Sequence, residues 1–207
     1  MSKKLNGEDA TIEQLIEESG SISVIQTSPE NKTIYIIGEI NECVANETVT
    51  ALLETKWDSI KELHLYITSQ GGYLADCFAI IDLILHIKDK YGVKVFTYGL
   101  GEIASAGFFI FICGDERLIF PSCRIFVHTH ITVGDERTFI ERIKADKTEE
   151  KEVYDNYIKY TAKQLGLSIV KAKNLLKKSK WLTRKEAKDY NVGIEATSKE
   201  DQNGEIN

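Results

Sequence analysis

Short apolar strands and amphipathic helices alternate along most of this chain, and that alternation most restricts the folds open to it. β-Branched and aromatic runs at residues 33–38, 62–68 and 93–98 have the composition of strands, and glycines follow close behind them. Residues 46–56 and 74–88, which lie between these runs, place apolar side chains at helical spacing. Strand, helix and strand repeated at short spacing predict an α/β layered fold with parallel strands and crossover helices.

The following segment continues the pattern with shorter elements. The third strand is expected to stop at residues 99–101, which contain two glycines. Residues 106–113 are apolar on every side, as in a buried helix. Short strands are predicted at 117–120 and 124–128, with Pro121 between them, and a helix at 167–178 with Ser168 as its cap. No internal repeat or second hydrophobic domain is seen.

Composition excludes several classes of protein. The chain has 207 residues, 43% of them hydrophobic, and a formal charge of −6, which gives no electrostatic reason to propose nucleic-acid binding. Its four cysteines form no metal-ligand spacing, so no metal or cofactor is expected. Cys77 and Cys113 lie in apolar runs and are interpreted as small core residues, which suits a reducing compartment. The start of the chain lacks a signal-peptide pattern, and the longest apolar stretch, 103–113, is too short to span a bilayer. We therefore expect a cytoplasmic protein without membrane contact.

Residues 136–164 form an unusually long helical pattern. These 29 residues contain no glycine or proline and are rich in glutamate and lysine. A continuous helix of that length would extend roughly 40 Å, which exceeds the width of one small domain. Two interpretations remain, a pair of helices bent near Ala145 and a projecting helix that packs on a neighbouring subunit. We favour the projecting helix.

Ser105 lies in the sequence GEIASAG, directly before the apolar run at 108–112. A hydroxyl between small residues, where a loop enters a buried segment, is suited to a nucleophile, because small neighbours let a substrate backbone approach. If a helix starts there, its free N–H groups can stabilise an oxyanion. The alternative is a serine that only caps a core helix.

Two further features could complete a catalytic site. Gly71 and Gly72 follow the second strand and could place backbone N–H groups beside a reacting carbonyl, although tight turns use such pairs routinely. His128 closes a strand and could meet Ser105 in space across adjacent strands. A half-buried or surface histidine without a catalytic role is the alternative for His128.

Taken together, these motifs resemble the ClpP family of self-compartmentalising serine peptidases. Residues 67–72 (ITSQGG) are similar to its Asn-Ser-Pro-Gly-Gly turn, 104–107 (ASAG) to its Ala-Ser-Met-Gly motif, and 126–128 (FVH) to the strand that ends in the catalytic histidine. Pro121 occupies the place of the proline before that strand, and 181–190 (WLTRKEAKDY) resembles a segment near the end of the family domain. The resemblance covers roughly residues 33–196 in collinear order.

The resemblance implies a serine endopeptidase with Ser105 as nucleophile and His128 as general base. The N–H groups of Gly72 and Ala106 would form the oxyanion hole. Gly71 and Gly134 would contact the substrate backbone.

The resemblance also implies an architecture and partners. The fold would be the ClpP/crotonase-like β-α-β superhelix, as a single domain at 31–197 with a handle helix at about 136–164. Residues 1–30 would be a partly flexible N-terminal segment, and 198–207 a disordered tail. Subunits would form stacked rings in a homo-oligomer, a tetradecamer in the family, enclosing peptide or protein substrates fed by an AAA+ unfoldase. Tyr66 matches one aromatic residue of the family's docking pocket.

One departure from the family concerns the triad aspartate, whose place is held by Ser179. No carboxylate occurs from residue 166 to 184. A hydroxyl can accept a hydrogen bond from imidazole but cannot balance the charge of imidazolium, and the analogous loss in a serine protease costs about 10⁴ in kcat. Three explanations remain: a slow Ser–His dyad, a substitute carboxylate such as Glu186 or Asp189, or a degenerate site. The last corresponds to an alternative function, that of a catalytically weak or inactive ring subunit.

Smaller departures affect substrate and partner binding. Gln70 replaces the proline of the turn before Gly71, and residues 129–134 replace the Gln-Pro and paired glycines that follow the family's catalytic histidine. Residues 1–30 lack the family's Asp-Ile-Tyr-Ser segment, which makes docking to an unfoldase less secure than the fold.

Overall fold

The structure, a computed structural model, describes residues 24–128 and 149–196. Within those residues it has eight strands in one sheet and six α-helices, with a 3₁₀ turn at Trp57–Ser59. The strands are β1 (Val24–Ser28), β2 (Asn31–Ile40), β3 (Glu62–Gly72), β4 (Lys94–Ala104), β5 (Glu116–Ile119), β6 (Arg124–Val127), β7 (Lys180–Leu182) and β8 (Ile194–Glu195). The helices are α1 (Glu42–Leu53), α2 (Leu74–Tyr91), α3 (Ala106–Phe111), α4 (Glu149–Leu165), α5 (Ile169–Leu176) and α6 (Arg184–Asp189).

The sheet has the order β1-β2-β3-β4-β5-β8, with β6 paired to β4 and β7 paired to β6. β2, β3, β4, β5 and β8 pair in parallel, and β6 is parallel to β4. Only the β1–β2 and β6–β7 pairs are antiparallel among these strands. Helix α1 connects β2 to β3 and α2 connects β3 to β4, as expected for parallel neighbours. The predicted α/β fold with crossover helices is confirmed.

The core lies between one face of the sheet and helices α1, α2 and α3. Along β3 buried and half-buried residues alternate, because successive side chains of a strand point to opposite faces. Helix α2 buries an apolar stripe against that face, and α3 is buried along its whole length. Each fully buried Leu or Ile contributes about 1.5–3 kcal/mol relative to an exposed one, so this layer holds the sheet and α3 in fixed relation.

Several predicted boundaries were wrong, and the structure shows the cause of two of these errors. Helix α1 begins at Glu42 rather than residue 46, because the Asn41 side chain accepts a hydrogen bond from the Val44 N–H and caps it there. Strand β4 does not stop at residues 99–101 but continues to Ala104. The strand continues because residues 102–104, which follow the two glycines at 99–101, pair with β6. β4 therefore leads directly into Ser105.

The long helical pattern is seen only in its second half. Helix α4 covers Glu149–Leu165, whereas residues 129–148, including the predicted bend near Ala145, lie outside the described residues. Near its end, the Tyr160 hydroxyl donates to the Phe109 carbonyl over 2.9 Å, and Tyr157 stacks on Phe78, which ties α4 to α3 and α2. Ser168 caps α5 as predicted, accepting from the Lys171 N–H.

The predicted N-terminal segment, residues 1–30, is described only from residue 24, and the predicted tail at 198–207 falls outside the described residues. In the part of the chain that is described, no helix combines the length and apolar character needed to cross a membrane.

Candidate active site

The carboxyl ends of three parallel strands meet at one edge of the sheet, and the candidate residues follow them. β3 ends at Gly72, β4 at Ala104 and β6 at Val127. β4 lies between the other two at this edge, because Ser69 pairs with Ile103 on one side and Phe126 pairs with Ala104 on the other. Ser105 is thus flanked by the glycine turn and by the strand that leads to His128. Open α/β sheets bind their ligands at such an edge.

Ser105 has an uncommon backbone conformation, with φ 52° and ψ −120°. Non-glycine residues rarely have positive φ, and such strain persists only where the surrounding structure enforces it. Here the Ser105 N–H donates to the Phe126 carbonyl over 3.3 Å, and the Ser105 carbonyl accepts from the Phe108 N–H over 3.0 Å. Although Ser105 directly precedes α3, its side chain makes no capping hydrogen bond. The cap alternative for this serine is therefore wrong.

Gly71 and Gly72 are required by space as well as by backbone conformation. Gly71 has φ 103°, and a Cβ there would collide with the Ser105 Cβ and lie 3.1 Å from the Ala106 nitrogen. Gly72 has φ 153°, and a Cβ there would collide with the Ile40 carbonyl. The absence of a side chain at Gly71 keeps open the space beside the Ser105 side chain and the Ala106 N–H, and its absence at Gly72 lets β3 approach the backbone of Ile40.

Ser69 holds the turn at Gly71 and Gly72 in place through a hydrogen bond, a role that the sequence interpretation missed. It is 2% exposed, and its Oγ accepts a hydrogen bond of 3.0 Å from the Gly71 N–H. A serine two residues before a glycine pair is the available sequence signal, because such hydroxyls commonly bond to the backbone two residues on. The bond leaves the Gly71 N–H satisfied within the protein, so the Gly71 amide is not the one we assign to substrate.

His128 lies in an aromatic row on one face of the β6–β7 ribbon. Its ring centroid is 5.5 Å from that of Phe126, which is 5.1 Å from that of Trp181. The Arg124 guanidinium lies over the Trp181 ring, 3.9 Å from its centroid. Within the described residues, neither the His128 ring nor the Ser105 hydroxyl makes a side-chain hydrogen bond, so the two are not bonded to each other in this state.

Ser179 directly precedes β7, just beyond the antiparallel ladder that joins β6 and β7. Ile125 pairs with Leu182, Phe126 with Trp181 and Val127 with Lys180, so His128 and Ser179 are the next residues beyond the last pair. Ser179 has φ 45°, a left-handed conformation that Asp and Asn adopt more readily than most residues. Ser179, which the motif comparison puts at the aspartate's place, thus lies at the same end of the β6–β7 ribbon as His128.

Glu186, one of the two substitute carboxylates considered, is occupied elsewhere. Its Oε2 accepts from the Thr183 N–H in a capping box at the start of α6. Its Oε1 lies 3.0 Å from the Lys178 Nζ and 3.1 Å from the Lys180 Nζ. The Thr183 N–H and then the two lysines lower the pKa of Glu186 to about 2. Asp189, the other candidate, is exposed on α6.

The same contacts predict an acid-dependent stability. The pKa of Glu186 is lowered in the folded protein from 4.5 to about 2. The ionised carboxylate therefore contributes fully to folding stability above pH 4.5, and this stabilisation is lost as the pH falls toward 2. Glu186→Gln should lower the Tm at neutral pH, and the Tm difference from the wild type should shrink across that interval. Thermal unfolding followed by circular dichroism against pH measures this. A difference that stays constant from pH 6 to about 2.5 would contradict it.

The remaining predictions about the site concern Gly134, metal ligands and two of the cysteines. Gly134 falls within residues 129–148, outside the described part of the chain. Among the described residues no group of three or more His, Cys, Asp or Glu side chains could hold a metal ion. Cys77 and Cys113, interpreted as small core residues, are both 0% exposed.

Comparisons with known proteins agree with this geometry. The chain is 27% identical over 165 residues to "ATP-dependent Clp protease proteolytic subunit 3" of Rhizobium etli, covering 79% of this chain and 82% of that protein. The protein of the same name in Rhizobium johnstonii matches to the same extent. A solved structure of a mutant of ClpP1 from Listeria monocytogenes superposes with a TM-score of 0.68 at 24% identity, covering 81% of this chain and 92% of that one. That likeness confirms the predicted ClpP-like fold.

The family model described as Clp protease matches residues 17–194. This range takes in the glycine turn, Ser105, His128 and Ser179 together with every described strand except the final residue of β8. The chain therefore belongs to the Clp protease family, whose members are generally serine peptidases.

Proposed function

We propose that this chain is a serine-type endopeptidase subunit in which Ser105 is the nucleophile and His128 its general base. The N–H groups of Gly72 and Ala106 would bind the oxyanion. The observation that carries the proposal is the strained turn at Ser105 between β4 and α3. Its hydroxyl is left without a capping bond, and it is flanked by Gly71 on one side and the end of β6 on the other.

The proposed reaction follows from these positions. The Ser105 Oγ attacks the carbonyl carbon of a peptide bond while His128 accepts its proton, and the carbonyl oxygen becomes an oxyanion. Collapse of the intermediate breaks the C–N bond, and His128 returns the proton to the leaving amine. Water, activated by the same histidine, then hydrolyses the ester on Ser105. The hydrogen bond between Ser105 and His128 would form with substrate in place, since such bonds are often absent in unliganded enzymes.

We propose a Ser–His dyad without a carboxylate, rather than a triad in which Glu186 takes the role of the aspartate. Both Glu186 oxygens are engaged by the Thr183 N–H and two lysines. Ser179 lies just beyond the same end of the β6–β7 ladder as His128, and its hydroxyl could accept from the imidazole. Packing of His128 against Phe126 restricts the ring from one side. The expected enzyme is slow, because no negative charge stabilises the imidazolium.

The assembly and its partner are also part of the proposal. By analogy with the family, subunits would stack in rings as a tetradecamer, with α4 in the handle that joins them, and would act on polypeptides delivered by an AAA+ unfoldase. A row of stacked rings on the sheet face opposite the core, formed by Tyr35, Tyr66 and Tyr98, supports a docking surface for such a partner. The proposed location is the cytoplasm, where a reducing environment would keep the four free cysteines as thiols.

A second candidate function is a non-catalytic ring subunit that builds or regulates a mixed barrel. It is favoured by the motif comparison, which puts Ser179 at the aspartate's place, and by the absence of a hydrogen bond to the His128 ring among the described residues. It uses the same fold but does not need a reactive Ser105.

A fluorophosphonate probe separates the two functions. The assembled wild-type protein should be phosphonylated on Ser105, located by mass spectrometry of the peptide that contains it, because the reagent needs an activated serine and an oxyanion site. Ser105→Ala should not be labelled, while its circular dichroism and native mass match those of the wild type. No adduct on Ser105, with an active serine protease labelled in parallel, would exclude the peptidase and leave the non-catalytic subunit.

A further inference from the structure

Cys77 is a buried cysteine whose thiol contacts the helix that follows Ser105. It lies on the first turn of α2 and is 0% exposed. Its Sγ is 3.2 Å from the carbonyl oxygen of Ala106, a geometry in which the thiol donates a hydrogen bond to that carbonyl. Ala106 is the residue whose N–H we assign to the oxyanion hole, and the thiol is bonded to the carbonyl group of this same residue.

The backbone of Cys77 is hydrogen-bonded to the segment that follows Gly72. Its N–H donates to the Tyr73 carbonyl over 3.0 Å, and the Tyr73 N–H donates to the Ile40 carbonyl over 2.8 Å. Tyr73 directly follows Gly72, which supplies the second assigned oxyanion donor. A single buried residue therefore links the two segments, at Gly72 and at Ala106, that must point their N–H groups at one oxygen atom.

The environment of Cys77 keeps its thiol able to donate. Burial raises the pKa of Cys77 well above the usual value for a thiol, so the proton stays on sulfur at neutral pH. Ser69 packs closely against the peptide that joins Ala106 to Gly107, since a Cβ on Gly107 would lie 3.0 Å from the Ser69 Cβ. Movement of the Ala106–Gly107 peptide is thus restricted by packing on one side and by the thiol on the other.

We propose that Cys77 is a positioning residue for the reaction, because it sets the angle between the two backbone donors of the oxyanion hole. The inference rests on the proposed function of Ser105. It adds a residue that neither touches substrate nor transfers a proton, and it predicts a change in the chemical step without a change in binding.

The test compares three variants of the full-length protein. Cys77→Ala removes the donor, Cys77→Ser keeps one, and Thr97→Val is the matched control. Thr97 is also buried, and its hydroxyl donates over 2.7 Å to the Phe111 carbonyl at the opposite end of α3. The measurement is the phosphonylation of Ser105 by a peptidyl fluorophosphonate as a function of reagent concentration, which separates the maximal rate from the apparent binding constant.

For Cys77→Ala we expect the maximal rate to fall about 3- to 10-fold, as for loss of one neutral hydrogen bond. The apparent binding constant should stay within about twofold of the wild-type value. Cys77→Ser should recover most of the rate. Thr97→Val should lower the Tm and leave the maximal rate unchanged.

Three outcomes would overturn the inference or its basis. Equal maximal rates in Cys77→Ala and the wild type would overturn it. Equal losses in Cys77→Ala and Thr97→Val would show that the thiol matters only for stability, which also overturns it. A wild-type protein that is not phosphonylated on Ser105 at all would instead exclude the proposed function, and the role of Cys77 with it.

Discussion

Ser179→Asp should accelerate peptide hydrolysis by up to about 10⁴-fold, the factor by which loss of the triad aspartate slows a serine protease. His128 and residue 179 are the next residues beyond the last pair of the β6–β7 ladder, which joins Val127 to Lys180. The backbone already suits the change, because Ser179 has φ 45° and Asp tolerates this conformation better than most residues. A carboxylate there would fix the imidazole tautomer and stabilise the imidazolium. Steady-state hydrolysis of a fluorogenic peptide measures the gain as kcat.

Ser179→Asn is the matched control for this prediction. It has the size and backbone preference of Asp but no charge, so it should raise kcat far less. If Ser179→Asp is well folded and hydrolyses peptide at the wild-type rate, the dyad account is wrong: either another carboxylate already serves His128 or the site geometry is broken.

Gly71→Ala should lower peptide hydrolysis by at least about 10²-fold, the cost of misplacing a reacting group by about 1 Å. A Cβ at this position would collide with the Ser105 Cβ and press on the Ala106 N–H. The nucleophile and one oxyanion donor would be displaced together. The backbone would also be strained, since φ at Gly71 is 103°. The rate of hydrolysis and the Tm are the two measurements.

Gly92→Ala separates the steric effect from backbone strain. Gly92 also has positive φ, 66°, but a Cβ there would meet nothing within 4 Å. It should lose only about 1 kcal/mol of stability, from the left-handed conformation, and keep its rate of hydrolysis. Wild-type activity in a folded Gly71→Ala protein would mean that Ser105 is not where the reaction occurs.

Much of the fold could be predicted because the hydrophobic periodicity is clear where the core is built. The alternation in β3 and the helical stripe of α2 are local patterns, and both elements begin within one residue of their predicted starts. Two of the boundary errors had non-local or subtle causes. β4 runs on because β6 pairs with it, and α1 starts early because the Asn41 side chain caps it. Pairing with a distant strand is invisible to a local pattern.

The candidate site was predicted only as a set of residue types. Ser105, Gly72 and His128 were chosen from motifs, and the structure brings the ends of their three strands to one edge of the sheet. The positive φ of Ser105 cannot be predicted from the small residues around it, because the constraint comes from the Phe126 carbonyl and the close approach of Gly71. Likewise the bond from Cys77 to Ala106 joins residues 29 positions apart, and no sequence pattern marks it.

The central claim, that Ser105 forms a covalent intermediate through activation by His128, is tested most directly by trapping that intermediate. The assembled protein is mixed with an activated peptide ester, quenched in acid at short times and digested for mass spectrometry. The account predicts an acyl group on Ser105 in the wild type, formed much more slowly in His128→Ala and absent in Ser105→Ala. An acyl group on another residue, or ester cleavage that persists unchanged in Ser105→Ala, would contradict it.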